Sequence, residues 1–178
     1  MRYGVVLRAI NVGKHNRIRM DTLRNAVGEA GFSDVRSHLQ TGNLTLDSDP
    51  VAISAVTERI EDVLLDLGLR GSSVVTRPWS DIERLVTAVP FTGYARDGHL
   101  LTVSFCRAAV PDLPTTPWVD RGVTFVGGTD WALFAVVPRD VARVPNPNAI
   151  IERRWGIPAT TRLWNVVTDW VAREAPLV

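Results

Sequence analysis

Apolar and polar positions follow two periods along this chain, and the switches between them mark out its elements. Tyr3 to Ile10 is a short apolar run rich in β-branched residues, which predicts a buried strand. A polar, basic loop follows over 11–19. Leu23, Ala26, Val27 and Ala30 then repeat at i, i+3, i+4 and i+7, the stripe of a helix that Asp21 can cap and Gly31 can end. Val35 to Gln40 predicts a strand, Thr41-Gly42 a turn, and Asn43 to Asp47 the returning strand, with Leu44 and Leu46 on one face. Asp49-Pro50 offers an acidic cap and a first-turn proline for a helix striped by Ile53, Val56, Ile60, Val63, Leu64 and Leu67. Ser73 to Arg77 is the next strand. Strand, helix, strand, strand, helix, strand is the split βαβ order of a ferredoxin-like unit.

The remainder repeats that order less clearly. Ser80-Asp81-Ile82-Glu83 reads as a capping box for a helix through Ala88, stopped by Pro90. From His99 to Cys106, Leu101, Val103 and Phe105 alternate with Thr102 and Ser104, as in a half-buried strand. Residues 108–120 are proline-rich and admit a short helix or an irregular connection. Val123–Val126 and Trp131–Val137 predict a hairpin around Gly127-Gly128-Thr129-Asp130. Asn148 is placed to cap a helix ending at Trp155-Gly156, Thr160–Leu163 is a short strand, and Asn165–Arg173 a closing helix. The expected fold is α+β: two ferredoxin-like βαββαβ halves in tandem, with helices packed on mostly antiparallel sheets. The halves are 1–78 and 99–178, joined by a helical connector over 79–98.

Composition narrows the function classes. Of 178 residues, 46% are hydrophobic and 22% charged, and the net charge is +1, so no global field draws the chain to nucleic acid or membrane. Cys106 is the only cysteine, which excludes a disulfide framework and a cysteine-rich zinc site; its apolar setting suits a strand residue better than a nucleophile. Arg8 interrupts the first apolar run too early for a signal peptide, and no run is long enough to span a membrane. A cytoplasmic protein is expected. The 3 histidines lack metal-binding spacing, so no metal and no cofactor are expected.

Three polar islands remain, each at the end of an apolar run. The first is Arg8-Ala9-Ile10-Asn11-Val12-Gly13-Lys14-His15-Asn16, which holds the only lysine of the chain. The second is Gln40-Thr41-Gly42-Asn43, and the third is Thr160-Thr161-Arg162-Leu163-Trp164-Asn165. Taken singly, the first suits a solvated basic loop, the second a polar turn, and Trp164 a core position. The first also suits an anion-binding loop, although it lacks the Gly-Lys-Ser/Thr ending of a Walker loop. Asp97, His99 and Ser104 cluster in sequence without the Gly-x-Ser-x-Gly elbow of a serine hydrolase. The strand Asn43–Asp47 lacks the aromatics on which an RNA-binding sheet stacks bases.

The ordered islands resemble the family known as domain of unknown function 1697, nearly end to end. Its Arg-Gly-Ile-Asn-Val-Gly-Gly strand end, basic stretch, Met and Leu-Arg helix are similar to Arg8 through Lys14, then Met20 and Leu23-Arg24. Its Gln-Ser-Gly-Asn resembles Gln40 to Asn43, its Asn-Pro-Phe resembles Val89-Pro90-Phe91, and its Ala-Thr-Thr-Arg-Asn-Trp-Asn resembles Ala159 to Asn165. Ala9 and Leu163 depart from a glycine and an asparagine, Val89 from another asparagine, and Asn146-Pro147-Asn148-Ala149 from a Ser-Lys-Leu-like segment. The resemblance implies an α+β fold with ferredoxin-like halves and brings no established activity.

The leading expectation is a binding protein for a small anionic or nucleotide-like ligand. Its cleft would be lined by Arg8, Asn11, Lys14, Gln40, Asn43, Arg162, Trp164 and Asn165. The alternatives are a metal-independent enzyme using the same cleft, with His15 as acid or base, and a nucleic-acid-binding protein using the first loop, which is not favoured. No catalytic residue is assigned, and oligomeric state is open.

Overall fold

A computed structural model describes residues 1–12, 16–94, 97–139, 142 and 144–175. The chain divides into two compact units, Met1–Glu83 and Arg84–Val178. It is a mixed α+β protein with five helices and two antiparallel sheets among the described residues.

The first unit runs β1 (Arg2–Leu7), α1 (Met20–Glu29), β2 (Ser33–His38), β3 (Asn43–Asp47), α2 (Ile53–Asp66) and β4 (Val74–Pro78). Its sheet has the order β2-β3-β1-β4 with every neighbour antiparallel. Alternation along β1 places Tyr3, Val5 and Leu7 on one face. There they join Leu44, Leu46 and Val74 against Leu23 and Val27 of α1 and Val56 and Ile60 of α2. Each such fully buried side chain contributes about 1.5–3 kcal/mol relative to exposure, so this layer holds the unit together.

Local details differ from the sequence expectations for identifiable reasons. Asp21 does not cap α1: the helix starts one residue earlier, and Asp21 lies in its first turn, bound by Arg19. Helix α2 starts at Ile53 rather than at Asp49-Pro50, because the Tyr3 hydroxyl donates to the Val51 carbonyl at 3.1 Å and ties that segment to β1. Strand β2 begins at Ser33 and carries a bulge before Arg36.

Helix α3 (Trp79–Thr87) lies across the division between units. The Ser80 capping box does not form, since the helix already begins at Trp79, whose indole N–H donates to the Glu83 carboxylate at 2.9 Å.

The second unit continues with β5 (His99–Cys106), β6 (Trp118–Asp120), β7 (Val123–Gly128), β8 (Ala132–Pro138), α4 (Pro147–Trp155), β9 (Ala159–Leu163) and α5 (Trp164–Glu174). Its sheet order is β6-β7-β8-β5-β9, again antiparallel throughout. No helix intervenes between β5 and β7. Pro111, Pro114 and Pro117 remove backbone donors at intervals of three, which denies a helix its ladder, and the chain instead forms the edge strand β6. Cys106 is fully buried beside Val123, Phe125, Leu133, Ala135, Ile150 and Ile151. Asn146, not Asn148, caps α4: its Oδ1 accepts from the Asn148 N–H at 3.0 Å, with Pro147 in the first turn and left-handed Gly156 at the end.

Candidate functional site

In the first unit, the polar residues at the strand ends are largely committed to the backbone. Beyond β1, the Arg8 N–H donates to the Ser73 carbonyl at 2.8 Å, and the Arg8 side chain is half-buried. Asn11 holds the loop as a clamp. Its Nδ2 donates to the carbonyls of Ile18 at 3.0 Å and Gln40 at 2.9 Å, and its Oδ1 accepts from the Ile18 N–H at 2.8 Å. Asn16 ties the far side of the loop to the α2–β4 connection through the Arg70 carbonyl at 2.9 Å. Lys14 and His15 lie outside the described residues.

The second island closes a turn. Asn43 is fully buried, and its Nδ2 donates to the His38 carbonyl at 3.1 Å and the Thr41 hydroxyl at 3.2 Å. Gly42 has φ +75°, and a Cβ there would stand 2.8 Å from Leu7 Cβ, so both conformation and close approach require glycine. Gln40 is exposed and lines an open groove of about 480 Å³ with Arg19, Arg24, Ser37 and Leu39. The cations of that groove are engaged. Arg19 binds Asp21 at 2.7 Å, and Arg24 donates to the Ser37 hydroxyl at 2.7 Å. The Asp21 carboxyl is held down at about 2, chiefly by the Arg19 hydrogen bond and also by the Thr22 N–H.

The second unit offers the more enclosed arrangement. At one end of its sheet, His99 opens β5 opposite Pro138, Arg139 follows β8, and β9 passes directly into α5 at Leu163-Trp164. His99, Leu100, Leu101, Arg139, Leu163, Trp164 and Asn165 line a cleft of about 170 Å³ there. The first turn of α5 has no side-chain cap, so its N–H groups and the positive end of its dipole meet the cleft without a fixed protein acceptor at that cap. Asn165 and Arg139 are exposed at the rim. His99 Nδ1 lies 3.0 Å from the Asp97 carbonyl; donation to it leaves Nε2 as the remaining ring nitrogen.

Trp164 supplies the apolar wall. It is 8% exposed and sits edge-on to Phe91 at 5.4 Å and to Phe134 at 5.6 Å, with Phe91 and Phe134 themselves 5.8 Å apart. The Val89-Pro90-Phe91 segment therefore packs its ring against the third island. Arg162 is one step removed from the cleft. It faces Val103 across the β5–β9 pairing, donates to the Thr161 carbonyl at 3.1 Å, and is pushed down to about 10 by burial, so it remains a cation at neutral pH.

Of the eight expected side chains, Trp164 and Asn165 share this cleft, Gln40 lines the first-unit groove, and the amides of Asn11 and Asn43 hold backbone. His99 and Arg139 were not singled out as ligand-binding residues. The signal available was positional: each polar residue flanks an apolar strand run at what proves to be the same end of one sheet. A serine triad is excluded by the same geometry. Ser104 is fully buried and hydrogen-bonded to the Thr161 hydroxyl at 2.7 Å, five residues along β5 from His99, roughly 17 Å at strand spacing. No cluster that could hold a metal ion occurs among the described residues.

Comparison with known proteins gives a family and a fold. The model of the family described as "Protein of unknown function (DUF1697)" matches residues 1–117. The structure of the conserved bacterial protein SP0830 from Streptococcus pneumoniae is similar over 97% of this chain and 97% of its own, with a TM-score of 0.65 at 16% identity. No curated protein matches the sequence.

Proposed function

The chain belongs to the DUF1697 family, whose function is unknown, and from its own side chains we propose that it is a cytoplasmic protein binding a small anionic ligand in the second-unit cleft. The observation that carries this reading is the convergence of Arg139, His99 and Asn165 on the uncapped first turn of α5. Arg139 supplies a permanent planar cation suited to a phosphate or carboxylate. The α5 N–H groups supply directional donors, Asn165 an orienting amide, and Trp164 with Leu100, Leu101 and Leu163 an apolar wall. At about 170 Å³ the cleft suits an anionic group rather than a whole nucleotide, so a nucleotide-like ligand would enter by its phosphate. Cytoplasmic placement accords with the absence, among the described residues, of a helix long and apolar enough to cross a membrane.

The strand orders support a related reading of the architecture, that both units are variants of one ferredoxin-like half. The order β7-β8-β5-β9 in the second unit parallels β2-β3-β1-β4 in the first, with β6 standing where the first helix would be.

Calorimetric titration with inorganic phosphate and with adenosine monophosphate tests the function. A charge-assisted hydrogen bond is worth about 1.5–3 kcal/mol, so Arg139→Ala is expected to weaken binding by roughly 10- to 100-fold. Unchanged affinity in that variant, or no binding by the wild type, would overturn the proposal. Steep salt dependence with longer nucleic acids and none of this sensitivity would favour the nucleic-acid reading. One observation favours an enzyme of the same cleft: His99, with Nδ1 turned to the Asp97 carbonyl, can present Nε2 for proton transfer. Turnover lost in His99→Gln by far more than any accompanying loss of phosphate affinity would establish it.

A further inference from the structure

A second cleft in the same unit has a different chemistry. Arg121, Val144, Pro145, Asn146, Ala149, Ile150 and Arg153 enclose about 400 Å³ between the β6–β7 hairpin and the start of α4. Its wall is apolar on one side, formed by Val144, Pro145, Ala149 and Ile150. Val144 is 45% exposed, an uncovered hydrophobic surface at the rim. Two arginines, Arg121 and Arg153, line the cleft as well. Arg153 Nη2 is shared between both oxygens of Asp120, at 2.9 and 2.7 Å, which neutralises one charge. Arg121 is exposed, and among the described residues of this cleft two arginines against the one carboxylate of Asp120 leave a surplus of one positive charge.

The backbone at Arg121 adds an independent observation. Asp120 pairs with Val123, so Arg121-Gly122 is a two-residue hairpin loop, and both residues have positive φ, +47° and +79°. Such loops favour asparagine followed by glycine, because a side chain with a Cβ is strained in that conformation unless it is short and polar. Gly122 follows the rule and Arg121 breaks it. The turn thus holds a guanidinium beside the apolar cleft where asparagine would be less strained, as Ala9, Leu39 and Val89 elsewhere also occupy positive φ.

We propose that this cleft binds a small amphipathic monocarboxylate, with Arg121 meeting the carboxylate and the Val144, Pro145, Ala149 and Ile150 wall covering the hydrocarbon. One surplus positive charge matches one carboxylate, and the volume lies within the range of small-molecule sites. The site is separate from the anion cleft at α5. It takes an apolar tail, which that smaller cleft has no room to cover.

Nuclear magnetic resonance titration with 3-phenylpropionate, and with its neutral amide, tests the assignment. The informative variant is Arg121→Asn, which removes the cation and supplies the residue the turn prefers, so the fold is retained and thermal stability should rise. The acid is expected to perturb the amides of Arg121, Gly122, Ala149 and Ile150 in the wild type and to bind at least tenfold more tightly than the amide. Arg121→Asn should abolish that preference while leaving the amide's affinity unchanged. Equal binding of acid and amide, an unaltered preference in Arg121→Asn, or no perturbation by the acid would overturn it. Phosphate binding at α5 should be the same in wild type and Arg121→Asn, so failure here is distinguishable from failure of the anion-binding proposal.

Discussion

Ala9 and Val89 carry backbone conformations that their side chains do not favour. Their φ values are +59° and +44°, in the left-handed region that glycine and asparagine tolerate. At these two positions the family pattern described above has glycine and asparagine. The departures are therefore conformational, and they explain why the pattern holds those residue types where it does. Leu163 differs: it is extended at φ −63°, so the asparagine of the pattern is not required by the backbone there. Relief of the left-handed penalty, partly offset by the greater unfolded-state freedom of glycine, predicts that Ala9→Gly stabilises the protein by about 0.5–1 kcal/mol in chemical denaturation. Val89→Asn should act with the same sign. Asp21 gives a second residue-scale test. Its carboxyl titrates near 2 in the folded chain against about 3.9 in an unfolded one, so its contribution to stability is complete above the unfolded value and is lost as pH falls through about 2. Arg19→Ala, read by side-chain resonances, should move that midpoint up toward the ordinary carboxylate range.

At the scale of elements, helix α4 is fastened to the sheet by a chain of polar side chains. The Ser104 and Thr161 hydroxyls lie 2.7 Å apart on paired strands, and Thr161 donates to Asn148 Oδ1 at 2.6 Å. Since Thr161 spends its proton on Asn148, Ser104 donates to Thr161. Thr161→Val removes the middle link and leaves the buried Ser104 hydroxyl without it, which costs about 1–3 kcal/mol. Faster hydrogen exchange at the start of α4 should accompany that loss. This arrangement also shows what was legible beforehand. The strand bounds of β3 and β5 follow from the apolar–polar alternation of the sequence, although burial itself does not alternate: Thr45, Thr102 and Ser104 are as buried as Leu44 and Val103, so β5 is covered on both faces over its second half rather than half-buried. The cap of α4 was misplaced by two positions, since Asn146 and Asn148 are equally good caps in composition and only the course of the chain decides between them. The amides of Asn11 and Asn43 were legible as special but not in their role. An amide at a strand end meets ligand or backbone according to where the next loop runs, and no local pattern records that.

Across the whole molecule, two antiparallel sheets carry related strand orders, yet only the first unit places a helix after its first strand. The proline spacing over 111–117 accounts for the difference. In sequence it is compatible with a short helix or an irregular connection, and the edge strand β6 that results creates the hairpin bearing Arg121. The cleft proposed to bind an anion is likewise a product of topology. His99, Arg139 and Asn165 are remote in sequence and meet because β5, β8 and β9 are adjacent in one sheet. The central claim is that this meeting point binds an anion. It is tested most directly by following backbone amides during titration of the wild-type protein with inorganic phosphate. The account predicts saturable shifts concentrated at His99, Arg139, Trp164 and Asn165, and their loss in Arg139→Ala. Shifts absent from these residues, or persisting in that variant, would contradict it.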